Sequence, residues 1–365
     1  MKAARYYGPY DVRIEDVPRP GPPGPGEIIV RVEMAALCGT DASQYHHATM
    51  VPLNQPHPVS GQQAPLIPGH EMVGVVVDVG PEVRGLTVGQ RIVPGAGWWC
   101  GTCDQCRAGR SNICQQTYLY GIHADGGLAE FVRVPANMCV PVPAGCRLEA
   151  AVMAQPLAVA LHALDRADID RSDVVALFGA GGIGSLFLAV WKVNWGEKEV
   201  ARAPQRVVAI DIDARRLETA ASLGVSLRVN ARLDDPVQAL LDMTDGMGVD
   251  VAIEATGNPT SIRQALASVK RGGRVLQVGI PTHPVALPLG DLVVAEKDVL
   301  TTNGQSSQRD LPHALHVLAS TDLAERVGYQ LIELEQLVKE GLLPLAEHRA
   351  SAKILVRIPH ESEHE

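Results

Sequence analysis

The alternation of strands and helices from Val174 onward constrains the fold more than any other feature of the sequence. The apolar strands VVALF, RVVAID, VDVAIEA and GRVLQVG are separated by the long apolar helix IGSLFLAVWKV, which is predicted to end at Val193, and by the helical segments DARRLETAASLG and TSIRQALASV. Strands that alternate with helices build parallel βαβ units. The sequence therefore predicts an α/β fold with a doubly wound, Rossmann-type parallel sheet.

A glycine-rich turn between the first of these strands and the following helix predicts a nucleotide site. The turn GAGGIG supplies Gly179, Gly181, Gly182, Ile183 and Gly184 in the pattern G-x-G-x-x-G. Missing side chains let the backbone approach a pyrophosphate, and the helix N-terminus offers free N–H groups and positive potential. We predict that these residues bind a dinucleotide; a turn without a ligand is the alternative.

Asp211, which ends the strand RVVAID, predicts the type of cofactor. A carboxylate at this position can accept hydrogen bonds from the adenosine ribose hydroxyls and would repel a 2′-phosphate. Arg215 and Arg216 follow closely and could instead bind a phosphate. We predict NAD rather than NADP, and we include Arg216 with Asp211 among the cofactor-binding residues.

The first half of the chain has a different pattern of apolar, Gly and Pro residues, which predicts a second domain. Short alternating apolar runs such as EIIVRVEM and MVGVVVDVG are separated by many Gly and Pro residues, as in an irregular, mainly β domain. We predict a catalytic domain at 1–157 and a nucleotide-binding domain at 158–302. Residues 303–365 are predicted to return to the first domain through the strand AKILVRI and to end in a solvated tail, HESEHE.

Four cysteines in a single segment, residues 97–114, predict a structural metal site. They are Cys100, Cys103, Cys106 and Cys114. Clustered cysteines in a reducing compartment are metal ligands more often than disulfides, and pairing at this spacing would close short, strained loops. Four thiolates leave no open coordination position on zinc. The segment is therefore predicted to be a structural zinc lobe, with the chemistry located elsewhere.

Charge and the amino-terminal sequence indicate the kind of partner. The formal net charge is -9 and no block is rich in Lys and Arg, which disfavours nucleic acid and anionic membranes as partners. The first residues lack a basic segment followed by an apolar run of signal-peptide length. We predict a cytoplasmic protein with a small-molecule ligand.

Two short motifs in the first half predict a second metal site. The motif CGTD contains Cys38 and GHE contains His70 and Glu71, which supply a thiolate, an imidazole and a carboxylate. An open zinc site has about three protein ligands and one free position. Asp41 could orient the imidazole of His70. An isolated buried Cys or His is more often a core residue than a ligand, but beside a nucleotide fold and a cysteine lobe these motifs favour an open metal site.

Together these motifs resemble those of the zinc-containing medium-chain alcohol and polyol dehydrogenases. The segments DGGLAEF, QPLAVALHA and EATG extend the resemblance over the chain, and PHPVSGQQAPLIPGHE is most similar to 2,3-butanediol dehydrogenases, with sorbitol and threonine dehydrogenases as near relatives. The resemblance implies a GroES-like catalytic domain and NAD-dependent oxidation of a secondary alcohol or vicinal diol. It implies two zinc ions per chain and a homodimer or homotetramer. It also assigns Cys38, His70 and Glu71 to the catalytic zinc, and Thr40 to the reacting alcohol.

Two residues depart from the pattern of these relatives. Gln155 occupies the position before PLAV where the diol, sorbitol and threonine enzymes usually have Glu, and Ser43 replaces a histidine that often completes a proton relay. We predict catalytic roles for Gln155 and Ser43, with His46, His47 and His57 as alternatives in the relay. The departures leave a second hypothesis open, a nucleotide- and zinc-binding regulatory protein with weak or no turnover.

Overall fold

The computed structural model describes residues 1–193 and 203–359. The strands are, in chain order, β1 (Lys2–Gly8), β2 (Asp11–Asp16), β3 (Glu27–Ala36), β4 (Glu71–Val79), β5 (Arg91–Pro94), β6 (Gly97–Trp98), β7 (Tyr118–Leu119), β8 (Phe131–Pro135), β9 (Cys139–Pro141), β10 (Val174–Phe178), β11 (Arg206–Asp211), β12 (Leu227–Asn230), β13 (Val249–Glu254), β14 (Val269–Gln277), β15 (Asp298–Thr301), β16 (Tyr329–Glu333) and β17 (Lys353–Arg357).

The α-helices complete the secondary structure on which the sites are built. They are α1 (Gly39–His47), α2 (Asp104–Arg107), α3 (Leu148–Ala151), α4 (Ala154–Ala167), α5 (Gly182–Val190), α6 (Ala214–Ser222), α7 (Pro236–Asp242), α8 (Pro259–Ser268), α9 (Leu289–Val294), α10 (Asp310–Ser320), α11 (Leu323–Val327) and α12 (Leu343–Ala346). The residues divide into two compact units. The first contains Met1–Ala158, Gly304–Ser320 and the described part of Gly328–Glu365, and the second contains the described part of Val159–Asn303 with Thr321–Val327.

The second unit contains a six-stranded sheet in the order β12-β11-β10-β13-β14-β15. All neighbouring strands in it are parallel. This order, with the first strand of the unit at the centre, is that of a doubly wound dinucleotide-binding sheet. Strand β10 is almost entirely buried, which explains why VVALF reads as an unbroken apolar run. The predicted parallel sheet is confirmed.

Helix α5 follows β10 directly and carries the glycine-rich turn at its N-terminus. Residues 184–190 of this helix are all buried, as expected for a segment that is apolar on every side. The helix ends at Val190, three residues before the end of the predicted apolar segment at Val193. In the part of the chain that is described, no helix is both long and apolar enough to cross a membrane.

The first unit is mainly β, as predicted. Its largest sheet has the order β16-β17-β3-β4-β5-β9, and β8 also pairs with β3. Strand β17, within the predicted strand AKILVRI, pairs antiparallel with β3 and parallel with β16. The tail HESEHE lies outside the described residues. The start of β17, the end of β3 and the start of β4 lie at one end of three adjacent strands, and this end holds the candidate metal group.

Candidate metal centres and nucleotide site

Cys38, His70 and Glu71 come together at this end of the sheet, and we call them the metal group. One ligand atom from each lies within 4.8 Å of the other two. Cys38 lies two residues beyond β3, and Glu71 begins β4 in register with Ala36, the last residue of β3. Strand pairing therefore brings the CGTD and GHE motifs together although 32 residues separate Cys38 from Glu71.

Buried polar atoms without partners show that the metal group fits a cation. His70 is 6% exposed and Glu71 is fully buried. The Nδ1 atom of His70 and the Oε1 atom of Glu71 have no hydrogen-bond partner, whereas Glu71 Oε2 pairs with the ammonium of Lys353. A buried polar atom left in this state costs about 1–3 kcal/mol. Thiolate, imidazole and carboxylate are all ligands of zinc, so a zinc ion fits the group.

Asp41 supports the metal group from the first turn of α1. Its Oδ2 accepts a hydrogen bond of 2.8 Å from the backbone N–H of Cys38, and its Oδ1 lies 3.6 Å from His70 Nδ1. Burial lowers the pKa of His70, but the Asp41 carboxylate and Cys38 outweigh burial and raise that pKa well above 6.5. Asp41 thus lies against both Cys38 and His70, where its carboxylate can orient the imidazole.

Lys353 also lies beside the metal group, and the sequence analysis missed it. Its Nζ is 2.5 Å from Glu71 Oε2 in an ion pair whose side chains are 10% and 0% exposed. Burial lowers the pKa of Lys353, but the charges of Glu71 and Cys38 outweigh burial and raise it above the ordinary value. The available signal was a lysine placed directly before the apolar run of a strand, where a buried cation needs an anionic partner.

Thr40 and Ser43, the predicted proton-transfer residues, lie on α1. Thr40 Oγ1 is 3.6 Å from Cys38 Sγ, so the structure places this hydroxyl next to the metal group. Ser43 follows three residues later, and residues at this spacing share one face of a helix. The structure therefore allows Thr40 and Ser43 to act in sequence.

Gln155, the second departure, is 5% exposed near the start of α4. Its Nε2 donates a hydrogen bond of 3.3 Å to Oε1 of Gln305, which is also buried. The donation leaves the Oε1 atom of Gln155 as an acceptor. Gln305 was not predicted, because its segment lies about 150 residues away in sequence and carries no recognisable motif.

The histidines proposed as alternatives in the relay lie in other environments. Exposed His46 and His47 contact each other, with a ring-nitrogen separation of 2.7 Å. His57 stacks on His123 with ring centroids 4.3 Å apart, and its Nδ1 accepts from the backbone of Val59 and Ser60. Neither cluster of metal-ligand atoms found among the described residues includes His46, His47 or His57.

The stacked histidine pair predicts a loss of stability in mild acid. Burial, with a smaller contribution from His57, lowers the pKa of His123 from 6.5 to about 4. His123 therefore gains a proton near pH 6.5 in the unfolded chain but only near pH 4 in the folded chain. The free energy of unfolding keeps its full value above pH 6.5 and falls as the pH drops toward 4. Because His123 is partly exposed, we expect a loss of about 1 kcal/mol. Urea unfolding across this range should depend less on pH in His123→Gln than in the unchanged protein; equal dependence would contradict the prediction.

The four lobe cysteines gather around a common centre. Their Sγ atoms lie within 4.8 Å of one another, with Cys114 3.5 Å from Cys100 and 3.9 Å from Cys103. Tetrahedral zinc with Zn–S bonds of about 2.3 Å requires sulfur separations of about 3.8 Å. Donors from Thr102 lower the pKa of Cys100 to about 6, whereas desolvation and neighbouring thiols raise that of Cys106 to about 12. Four thiolates at these separations need a cation between them, so the lobe fits a structural zinc.

The glycine-rich turn has the backbone geometry that a nucleotide site requires. Gly179 has φ +96°, and a Cβ there would lie 2.7 Å from Thr256. A Cβ on Gly184 would lie 1.9 Å from the carbonyl oxygen of Gly179, so the close approach of α5 to β10 requires glycine. Helix α5 begins at Gly182, and Gly181 is its N-cap. Free N–H groups at this terminus can bind a pyrophosphate.

Asp211 lies directly against this turn. Its Oδ2 accepts a hydrogen bond of 2.9 Å from the backbone of Ala180, and Arg216 Nη1 lies 3.9 Å from the same oxygen. The Arg216 guanidinium also lies over Gly181, where a Cβ would be 3.3 Å from Cζ. Arg215 pairs instead with Asp213. The structure thus brings Gly181, Asp211 and Arg216 together.

Glu254, in the EATG segment, holds the loop beside the turn and was not predicted. This fully buried carboxylate accepts hydrogen bonds from the backbone of Thr256 (3.0 Å) and Gly257 (2.9 Å), from Ser261 Oγ (2.9 Å) and from Gln277 Nε2 (2.6 Å). The hydroxyl of Thr256 also donates to this carboxylate, and five donors together can stabilise it without a cation. The signal was a charged residue at the carboxyl end of an otherwise apolar strand.

Comparison with known proteins agrees with this geometry. Two family models match the chain, the alcohol dehydrogenase GroES-like domain over residues 24–144 and the zinc-binding dehydrogenase over residues 199–320. Among curated proteins, (R,R)-butanediol dehydrogenase of Bacillus subtilis strain 168 is 30% identical over 361 residues, which cover 98% of this chain and 99% of that protein.

Solved structures give the same result. The crystal structure of 2R,3R-butanediol dehydrogenase from Bacillus subtilis has a TM-score of 0.85 at 29% identity and covers 98% of this chain and 99% of that chain. A zinc-binding dehydrogenase from Sinorhizobium meliloti 1021 bound to NADP has a TM-score of 0.82 at 28% identity, with coverage of 98% and 99%. The resemblance and the fold class predicted from the sequence motifs are confirmed.

Proposed function

Because the chain belongs to the zinc-binding family of medium-chain alcohol and polyol dehydrogenases, we propose that it oxidises a secondary alcohol or vicinal diol with NAD. The observation that carries this proposal is the cluster of Cys38, His70 and Glu71, in which His70 Nδ1 and Glu71 Oε1 are buried without a hydrogen-bond partner. A group of this kind can hold a cation with a position left for substrate. We assign the catalytic role to the first unit and cofactor binding to the second.

The proposed chemistry divides between bound groups and protein residues. A zinc ion would supply a Lewis acid that lowers the pKa of the substrate hydroxyl, and NAD would supply the hydride acceptor. Cys38, His70 and Glu71 would hold that zinc, and Asp41 would orient the His70 imidazole. Cys100, Cys103, Cys106 and Cys114 would hold a second, structural zinc, giving two per chain.

Thr40 and Ser43 are the proposed proton-transfer residues. The Thr40 hydroxyl lies beside the metal group and can accept the proton released by the substrate. Ser43, on the same face of α1, can pass it onward directly or through a water molecule. His46, His47 and His57 contact other partners, which supports proton transfer through Ser43.

A vicinal diol is the proposed substrate class. The similarity to a butanediol dehydrogenase extends over 98% of the chain, and two neighbouring hydroxyls can chelate one metal ion. The neutral Gln155 adds no negative charge to the metal group. This favours a substrate whose second hydroxyl contributes a ligand.

NAD is the proposed cofactor, bound by the GAGGIG residues together with Asp211 and Arg216. Asp211 presents a buried carboxylate at the turn, where it would repel a 2′-phosphate. The nearby guanidiniums face carboxylates, Arg216 that of Asp211 and Arg215 that of Asp213. This pairing reduces their availability for a phosphate and supports NAD over NADP.

Gln155→Glu tests the role of the amide near the proposed zinc. If Gln155 faces the metal, the added carboxylate should slow zinc loss to a chelator by about tenfold and shift the pH profile of turnover upward, because it cancels part of the ion's charge. The control is Gln63→Glu, which adds the same charge at an exposed position of the first unit. Unchanged zinc loss and an unchanged pH profile in Gln155→Glu would show that this residue does not face the metal.

We further propose a cytoplasmic homodimer or homotetramer. Strand β15 is the edge of the parallel sheet, and Leu289, Val293, Val294 and Val299 near it are 41–76% exposed. An apolar surface beside an open sheet edge is typical of a subunit interface. Reduced thiols in the lobe support a reducing compartment. Sedimentation of the native protein would give the number of subunits.

A nucleotide- and zinc-binding regulatory protein is the second candidate, favoured by Gln155 and Ser43. The retained Cys38, Thr40, His70 and Glu71 favour the enzyme. The test is to assay 2,3-butanediol, sorbitol, glycerol, threonine and simple secondary alcohols with NAD and NADP, together with metal analysis. We expect two zincs per chain and chelator-sensitive, NAD-dependent turnover of a diol. One zinc confined to the lobe, with no turnover on any of these alcohols, would favour the regulatory protein.

A further inference from the structure

Zinc binding by the metal group does not explain the buried ammonium of Lys353. Its Nζ lies 2.5 Å from Glu71 Oε2, and its side chain is only 10% exposed. A fixed cation repels a metal ion nearby and engages a carboxylate oxygen that the metal could use. A site built only for tight metal binding would therefore be better without this lysine.

The sheet fixes Lys353 in this position. Lys353 begins β17, which pairs with β3 so that Leu355 lies opposite Ala36, and the backbone N–H of Leu37 donates to the carbonyl of Ile354 at 2.9 Å. Glu71 lies opposite the same Ala36 on the other side of β3. Lys353 and Glu71 thus flank the end of β3 that leads to Cys38. Backbone pairing, rather than a flexible surface contact, positions the ammonium.

The charges of the site show what this cation changes. The Cys38 thiolate and the Glu71 carboxylate together would balance the two charges of a zinc ion, while a neutral His70 adds none. Lys353 adds one positive charge to this set, and its ammonium also forms an ion pair with the Glu71 carboxylate. Zinc and Lys353 therefore compete for Glu71.

We propose that Lys353 is a positioning residue that holds Glu71 by one oxygen and so makes it a weak, exchangeable ligand of the bound zinc. The metal then depends mainly on Cys38 and His70, and a coordination position stays accessible to the substrate hydroxyl. The inference rests on the proposed zinc-dependent function. Lys353 would lower the zinc affinity of the metal group below the affinity that Cys38, His70 and Glu71 would have without it.

A purely structural role for Lys353 predicts the opposite result. If the ammonium only neutralises Glu71 and holds it in place for the metal, its removal leaves a poorly placed carboxylate and zinc is lost faster. If the ammonium competes with the metal, removal frees Glu71 and zinc is lost more slowly. The sign of the change in zinc release distinguishes the two roles without an activity assay.

The experiment measures zinc release from the zinc-loaded full-length protein into a chromophoric chelator, without substrate or NAD. His70→Ala identifies the release phase of the metal group, because that phase disappears while the lobe phase remains. We expect Lys353→Met to slow the identified phase by at least about tenfold, because it releases Glu71 from a charge pair that competes with the metal. Lys353→Arg should stay near the unchanged protein. Lys2→Met, which removes an exposed lysine paired with Glu335, is the matched control and should have no effect.

A double-mutant cycle tests whether the effect passes through Glu71. In a Glu71→Gln background the competition is absent, so adding Lys353→Met should change zinc release by less than about threefold. Lys353→Gln, which keeps a donor without the charge, replaces Lys353→Met if circular dichroism shows that the methionine variant is unfolded. Unchanged or faster zinc loss in the folded variant, or equal slowing in both backgrounds, would overturn the proposal.

The same data separate this inference from the proposed function. If the unchanged protein shows no release phase that depends on His70, the zinc-dependent function fails, and the role of Lys353 fails with it. If the phase is present but Lys353→Met does not slow it, the role of Lys353 alone is wrong.

Discussion

Replacing His70 with alanine is expected to reduce turnover by at least about a thousandfold and to lower the zinc content from two ions per chain to one. His70 is 6% exposed and would supply one of the three ligands of the metal group, so its removal leaves only Cys38 and Glu71 to hold the metal. Metal catalysis contributes several kcal/mol of charge stabilisation, and about 4 kcal/mol corresponds to about a thousandfold in rate. Turnover with the best diol and zinc content by mass spectrometry measure the two effects.

Two further measurements show whether the effect of His70→Ala is confined to the metal group. NAD binding should change by less than about twofold, because the glycine-rich turn and Asp211 belong to the other unit. His316→Ala removes an exposed histidine from the first unit and should leave zinc content and turnover unchanged. Full zinc content with near-normal turnover in His70→Ala would show that the metal group is not the catalytic site.

Replacing Cys103 with serine is expected to cause the second largest effect, on stability rather than chemistry. The loss of one lobe ligand should release the structural zinc and lower the free energy of unfolding by at least about 3 kcal/mol, because the four ligands are gathered only in the folded state. This corresponds to a fall of about 6–12 °C in melting temperature. Calorimetry and zinc content measure the change. Molecules that remain folded at low temperature should keep turnover within about threefold of the unchanged protein.

Cys146→Ser is the control for this prediction. Cys146 is a buried cysteine of the first unit, but it lies outside the lobe and its Sγ donates to the carbonyl of Arg147. We expect full zinc content in this variant. A Cys103→Ser protein with normal stability, normal zinc content and no turnover would instead place the chemistry in the lobe.

The sequence predicted those parts of the fold in which local pattern and packing agree. The strands VVALF and RVVAID, the helix after Asp213 and the strand EIIVRVEM lie where their apolar periodicity placed them. Periodicity was less reliable at element ends: the apolar segment after GAGGIG suggested a helix to Val193, yet α5 ends at Val190. Apolar residues continue past the helix end here, at Trp191 and at the buried Val193, so their pattern does not mark the last turn.

The candidate site was predictable where its residues lie in short motifs. CGTD, GHE and the cysteine segment each contain their ligands within a few residues, and motif recognition brought them together. Lys353 and Gln305 could not be found in this way, because each contacts its partner through strand or segment packing across more than a hundred residues of sequence. Their roles depend on which strands are neighbours in the sheet, and the order β17-β3-β4 is not encoded by any local pattern.

The same strand order determines when the metal group can form during synthesis. The strands that carry Cys38 and Glu71 are made early, but the strand that begins with Lys353 is among the last described segments to leave the ribosome. The second unit is largely continuous in sequence and can fold as soon as it emerges, because a domain generally folds as one unit. Strands β3 and β4 can pair earlier, and β17 completes this side of β3 only later. If Lys353 competes with zinc for Glu71 as proposed, the metal group of the nascent chain would bind zinc more tightly before β17 is in place than after the sheet is complete.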